Sequence, residues 1–254
     1  MPKLKDIVNF LDEILEIAKF ANDHSNNGLQ IEGNKEVKKA VFGVDACLKL
    51  FERCNKSGGN FVFVHHGLSW ESNLRRITGY NARMISCLMQ NQISLYAAHL
   101  PLDAHQKFGH NILISKELGL SKTSLFAKYS GVKIGVMGRA PANSTPAKFA
   151  KILDAWLDAK CFIYGNKNYE IRKVGVISGG AGQDGIEASL SEGLGCLVTG
   201  EVGHSSINMI EEINIPVISI GHYCSEKPGV FAVMEKIRAE FKIDVEFVTL
   251  PTGM

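Results

Sequence analysis

Phe61-Val62-Phe63-Val64-His65-His66-Gly67 (FVFVHHG) is the stretch on which the reading of this chain turns. Four large apolar residues in succession are what a strand buried on both faces looks like. Two histidines and a glycine end it at once. Neighbouring side chains of a regular strand point to opposite faces. His65 and His66 therefore converge only if the strand breaks there, which Gly67 would permit. Neutral imidazole is the commonest side-chain ligand of metals such as zinc and iron. The pair is either a chance doublet in a solvated loop or part of a metal site, and what stands at the other strand ends decides between them.

Outward from this stretch the chain alternates strands and helices. Ile7, Phe10, Leu11, Ile14, Leu15 and Ala18 follow the spacing of an amphipathic helix. Asn27-Gly28 marks a tight turn. KAVFGVDA (39–46) reads as a strand and 47–56 as the helix returning from it. Residues 81–90 form a helix leading to a strand over 93–98, which ends in HLPLDAH (99–105), and 111–118 is again helical. A second unit begins near Tyr129 with the strand VKIGVMG (132–138). A helix follows, capped by Ser144 or Thr145 with Pro146 in its first turn. Further strands are read over 161–164, 174–178, 196–199, 216–220 and 245–250, with helices near 186–192, 205–212 and 228–241. Such alternation predicts an α/β protein with largely parallel strands. The expected division is a first lobe over 1–126 plus 214–254 and a second over 127–213, each a twisted sheet flanked by helices.

Three strands end in metal-ligating types: His65 and His66, then His99 with Asp103, then His222 with Glu226. Ligands of open parallel sheets bind beyond the carboxyl ends of the strands, so each group stands where a site is expected. His222 and Glu226, four apart, share a face if the turn after their strand is helical. Mixed imidazoles and carboxylates suit zinc, iron or manganese. Three or more histidines with two carboxylates exceed the needs of one tetrahedral ion and point to two divalent ions sharing ligands.

HHG, YAAHLPLDAHQKFGHN, TGEV and GHYCSE, with SNNGLQIEG near the start, together resemble the Nif-three-like family over nearly the whole chain. Its members are commonly described as GTP cyclohydrolase I type 2 homologues. The resemblance implies an α/β fold with a dinuclear metal centre between lobes and assembly as a homohexameric ring. By match to the motifs, the metal ligands are His65, His66, Asp103, His222 and Glu226. His99 is then a residue beside the ligands, facing them or the substrate. At 254 residues the chain is expected to lack the extra inserted domain that longer members carry.

Gly180, Gly182 and Gly185 form a competing GxGxxG after the 174–178 strand, with Glu201 nineteen residues beyond Gly182. A structural turn and a phosphate contact of a nucleotide substrate are the two readings of this run. A net charge of +2 gives no overall electrostatic case for a dedicated nucleic-acid binder. The pairs Lys38-Lys39 and Arg75-Arg76 leave local nucleic-acid binding by a ring oligomer as an alternative. No stretch approaches the roughly 20 apolar residues of a membrane span, and acids interrupt the apolar runs of the first 20 residues. Six scattered cysteines without a CxxC pair read as reduced thiols, so a cytoplasmic protein is expected. The function expected is hydrolysis of a nucleotide or other phosphorylated small molecule, with His99 and Glu201 as catalytic proton carriers. The rival from another class is a non-catalytic metal-binding scaffold.

Overall fold

A computed structural model describes residues 1–253. In chain order α1 (Leu4–Ile14) precedes β1 (Gly28–Ile31), β2 (Lys39–Asp45), α2 (Leu48–Lys56) and β3 (Phe61–His66). Next come α3 (Gly79–Gln90), β4 (Ser94–Ala97) and the single turn α4 (Leu100–Asp103). They are followed by α5 (His110–Glu117), the hairpin β5 (Ser121–Tyr129) and β6 (Val132–Arg139), and α6 (Pro146–Leu157). Then come β7 (Phe162–Tyr164), β8 (Lys173–Gly180), α7 (Gly182–Ser191), β9 (Cys196–Glu201), α8 (Ile207–Ile213) and β10 (Val217–Ser219). The turn α9 (His222–Ser225), α10 (Lys227–Phe241) and β11 (Asp244–Phe247) finish the chain. No helix among the described residues is long and apolar enough to cross a membrane.

The chain divides into two compact units, each a sheet flanked by helices. The first holds Met1–Leu102 and Gly229–Leu250; the second holds Asp103–Pro228 with the residues from Pro251 onward. The sequence reading placed these boundaries at 126 and 214. They fall instead at the end of α4 and inside α10, because α5 and β10 pack into the second unit. β10 pairs with β9 and β7 there, so the strand before His222 does not return to the first sheet. β1 and β5, both edge strands, were not read from the sequence. The strand expected over 245–250 is the shorter β11.

In the first unit the strand order is β1-β4-β3-β2-β11. The pairings are parallel except at one edge, where β1 runs antiparallel to β4. Phe42, Phe63 and Tyr96 are register partners on β2, β3 and β4, with ring centroids 5.5 and 5.8 Å apart. Each ring is fully buried and contributes roughly 1.5–3 kcal/mol by leaving water. A one-residue slip of any of these strands would turn its own ring to the opposite face, so this ladder fixes the register that carries the strand ends. Asp12 of α1 accepts a hydrogen bond from the Tyr96 hydroxyl at 2.7 Å. On the opposite face Val41, Val62, Val64 and Leu95 pack with Leu50, Phe51, Met84 and Leu88 of α2 and α3.

The second sheet runs β5-β6-β8-β9-β10-β7, parallel only among β8, β9 and β10. Period-two alternation splits its core. Val174, Val176, Cys196, Val198 and Ile218 meet α5 and α6. Ile177, Leu197 and Val217 meet Ile186 of α7 and Ile210 of α8. Thr145 caps α6, its hydroxyl accepting from the Lys148 amide at 3.2 Å with Pro146 at the first helical position.

Candidate metal centre

His65 and His66 end β3 and remain within it. The strand does not break at this point, contrary to the sequence expectation. From His65 onward, however, β3 has lost its β4 neighbour, whose last register partner is Ala97 opposite Val64. Its tip is paired only with β2, Asp45 facing His66. The two rings lie 4.6 Å apart between centroids, and His99, just past β4, lies 5.2 Å from His65 and 5.7 Å from His66. Each of the three offers a ligand nitrogen, all within 4.8 Å of one another. Gly67 serves by close approach, since a Cβ there would stand 2.4 Å from Gln30 Oε1 and 2.6 Å from Ala97 Cβ.

All three rings are oriented in the same way. His65 Nδ1 lies 2.9 Å from the Ala98 carbonyl oxygen, His66 Nδ1 2.8 Å from Asp45 Oδ1, and His99 Nδ1 2.9 Å from Asp23 Oδ1. A carbonyl or an ionised carboxylate only accepts, so each Nδ1 carries the proton and donates. In the neutral form such a ring has its lone pair on Nε2, the tautomer that ligates metals through that nitrogen. Asp23 also accepts from the Ser25 and Leu100 amides and the Asn27 side chain. Burial alone would raise its pKa, but the His99 hydrogen bond and charge, with the Asn27 and Ser25 contacts, hold it below the ordinary carboxylate value. Trp70 packs edge-on to His99, centroids 5.0 Å apart.

The second unit, by itself, carries further groups of metal-ligating type. Asp103, buried at the end of α4, accepts from the Ser178 hydroxyl at 2.8 Å. A ligand atom of His110, the fully buried first residue of α5, lies within 4.8 Å of one of Asp103. Asn111 fixes this corner, donating to the Asp103 and Ile134 carbonyls and accepting from the Ser178 amide. β10 hands over to the helical turn α9, which sets His222 Nε2 3.2 Å from Glu226 Oε1. Glu201 Oε2, from the tip of β9, lies 3.3 Å from His222 Nδ1. The Glu226 hydrogen bond outweighs the opposing effect of burial and, with the charges of Glu226 and Glu201, pushes the His222 pKa up to about 9.

The glycine run of β8 serves this turn. A Cβ on Gly179 would sit 2.5 Å from Glu226 Oε1, and one on Gly200 2.6 Å from Ser225 Oγ. Gly180 is the register partner of Glu201, and Gly182 opens α7 at φ +60°. Close packing of α9 on β8 and β9 therefore accounts for the glycines at 179 and 200.

Within the first unit the structure brings together His65, His66 and His99; within the second, it brings together His222, Glu226 and Glu201. His99 was set apart from the ligands in the sequence, yet it shares the geometry of His65 and His66. Four residues escaped the sequence reading: Asp45, Asp23, Ser178 and His110. Asp45 stands at the carboxyl end of β2 as the histidines do on β3, and His110 lies in the quoted FGHN, so both carried a signal. Three imidazoles of one tautomer fit a borderline divalent ion such as zinc.

The family model for Duf34/NIF3 (NGG1p interacting factor 3) matches residues 2–252. A GTP cyclohydrolase 1 type 2 homolog of Pyrococcus abyssi is 36% identical over 98% of this chain and 99% of its own. One from Archaeoglobus fulgidus is 37% identical over 99% of both. Among solved structures, the protein TTHA1606 from Thermus thermophilus superposes with a TM-score of 0.85 at 34% identity, covering 100% of each chain. The chain, matched along almost its whole length by model, relatives and structure alike, belongs to the Duf34/NIF3 family.

Proposed function

We propose that this protein is a divalent-metal-dependent hydrolase of a nucleotide or other phosphorylated small molecule. His65, His66, Asp103, His222 and Glu226 would hold two ions. The observation that carries the reading is the common tautomer of the strand-end histidines, each held by an acceptor at Nδ1. A solvated histidine cluster has no need of three such acceptors. When bound, divalent ions supply Lewis acidity and acidify a water towards neutrality. Glu201 is suited to take up a proton: its side chain is 40% exposed, and its Oε2 lies beside His222 Nδ1. The Asp23 carboxylate lets His99 hold a proton at Nδ1 while Nε2 accepts one. The shared name of the relatives, GTP cyclohydrolase 1 type 2 homolog, supports a purine nucleotide as substrate.

A second reading concerns His99 alone. Its place among the three ligand nitrogens supports it as a ligand rather than a proton carrier. His99→Ala separates the two: lost metal means a ligand, while retained metal with lost turnover means a proton carrier. The function itself is tested by elemental analysis of protein purified without chelator, followed by a nucleotide-hydrolysis panel headed by GTP. Metal-dependent turnover abolished by chelator and restored by added zinc, iron or manganese is the expected result. A metal-loaded protein inert to the whole panel would favour the scaffold.

A further inference from the structure

Where the second sheet leaves β6, three strands bring cations side by side. Arg139 at the end of β6 is the register partner of Ser121 on β5 and of Lys173 on β8. Directly opposed residues of antiparallel strands share a face, and like charges so placed repel. Lys173 has Glu192 at 3.5 Å. Arg139, Arg172 and Lys122 have no carboxylate within 4.0 Å among the described residues. β5 bulges between Ser121 and Ser124, and Lys122 inside the bulge holds φ at +50°. That left-handed conformation costs an L-residue on the order of 1–2 kcal/mol. Bulges re-aim side chains, and this one directs Lys122 to the same groove as Arg139, Arg172 and Lys173.

The groove encloses about 660 Å³, within the roughly 300–1,000 Å³ range of small-molecule sites. Glu170 is its single acid among the described residues, and Met137, Pro141 and Ile171 supply apolar wall. None of the candidate metal ligands lines it. Several unneutralised cations beside an apolar wall call for a ligand with a polyanionic tail and a hydrophobic or planar body. A lone inorganic anion would leave the apolar wall unused. We propose that this groove binds an organic polyphosphate, its phosphates on Arg139, Arg172 and Lys122 and its body over Met137 and Pro141.

The test is calorimetric titration of the full chain with ATP and, separately, with inorganic tripolyphosphate. Arg139→Ser/Arg172→Ser should weaken ATP binding at least tenfold without lowering the melting temperature, since both arginines are exposed and Arg139 directly opposes Lys173. Lys122→Ser is the second variant should the first fail to fold, and it should weaken binding as well. The titration is run on chelator-treated protein, so that the proposed hydrolytic site holds no ion to recruit a nucleotide, and tripolyphosphate should bind more weakly than ATP. ATP binding unchanged in the arginine and lysine variants would place the polyphosphate elsewhere and overturn the proposal. No ATP binding to the unaltered chain would overturn it too, and tripolyphosphate binding as tightly as ATP would overturn the part given to the apolar wall.

Discussion

His66 and Asp45 are register partners on adjacent parallel strands, with His66 Nδ1 2.8 Å from Asp45 Oδ1. The same strand pairing that builds the sheet thus chooses the tautomer of a candidate ligand. Asp45→Ala should keep the fold, because Asp45 is 37% exposed on its side chain, but release the His66 ring. Loss of such an acceptor typically costs about 10- to 100-fold in metal affinity. Competition with a chromophoric zinc chelator measures it. Unchanged affinity would make the contact a surface ion pair and nothing more.

Gly179→Ala tests the second unit in the same way. The backbone there holds φ at +64°, which adds roughly 1–2 kcal/mol of strain for any L-residue. The new methyl would also stand 2.5 Å from Glu226 Oε1 and push it aside. A melting temperature lower by several degrees, with less metal per chain, is expected. A destabilised protein with full metal content would detach Glu226 from the ligand set.

Cys224 provides the control. It lies between His222 and Glu226 in sequence, but its side chain packs against the core of Phe149, Leu153 and Val198. The α9 turn sends it away from His222. Cys224→Ser should leave metal content unchanged and lower stability slightly, by about 1 kcal/mol, from a polar atom placed against apolar neighbours. A marked loss of metal would bring sulfur into the site.

Acid stability should depend on the β2–β11 edge. Glu246 accepts from Lys39 Nζ at 2.6 Å and from Arg53 Nε at 3.1 Å. The Lys39 hydrogen bond, against some desolvation and with help from Arg53, lowers the Glu246 pKa. A carboxylate depressed in the folded state stabilises above its unfolded pKa, about 4.3 for Glu, and loses that contribution as pH falls through the folded value. Glu246→Gln should therefore cost up to about 1 kcal/mol at pH 7, and the difference should vanish in acid below the folded pKa. Urea unfolding at pH 7 and pH 3 reads both. Equal stability at pH 7 would show that the pair contributes nothing.

The strand-end histidines were legible because burial, chain direction and ligand chemistry all appear in local sequence: FVFV announces the strand and HH its end. Their acceptors were not. Asp45 meets His66 only through the β2–β3 register, and Asp23 reaches His99 across 76 residues. Neither pairing has a local signal. β5 was missed because SKTSLFAKY is largely exposed and bulged, which blurs the alternation that marks a half-buried strand. The unit boundary escaped because it falls at the end of α4, within HLPLDAH, with no glycine or charge run to mark it. Convergence of His222 on Glu226 was foreseen correctly, since a four-residue spacing needs only one helical turn.

Asp103 separates a hydrolase from a scaffold. It is only 6% exposed and accepts from the Ser178 hydroxyl through Oδ1. Asp103→Asn keeps that contact if the amide oxygen takes the place of Oδ1. What is lost is the negative charge, which a pair of divalent ions needs to offset their mutual repulsion. The fold should survive, with the metal content falling from two ions towards one per chain. A hydrolase relying on both ions would then lose turnover of GTP by orders of magnitude. A scaffold would show only the change in melting temperature that the missing ion brings. Elemental analysis and a GTP-hydrolysis assay on the same preparation read the two effects together. Full metal occupancy with unchanged turnover would reduce Asp103 to a buried turn residue held by Ser178.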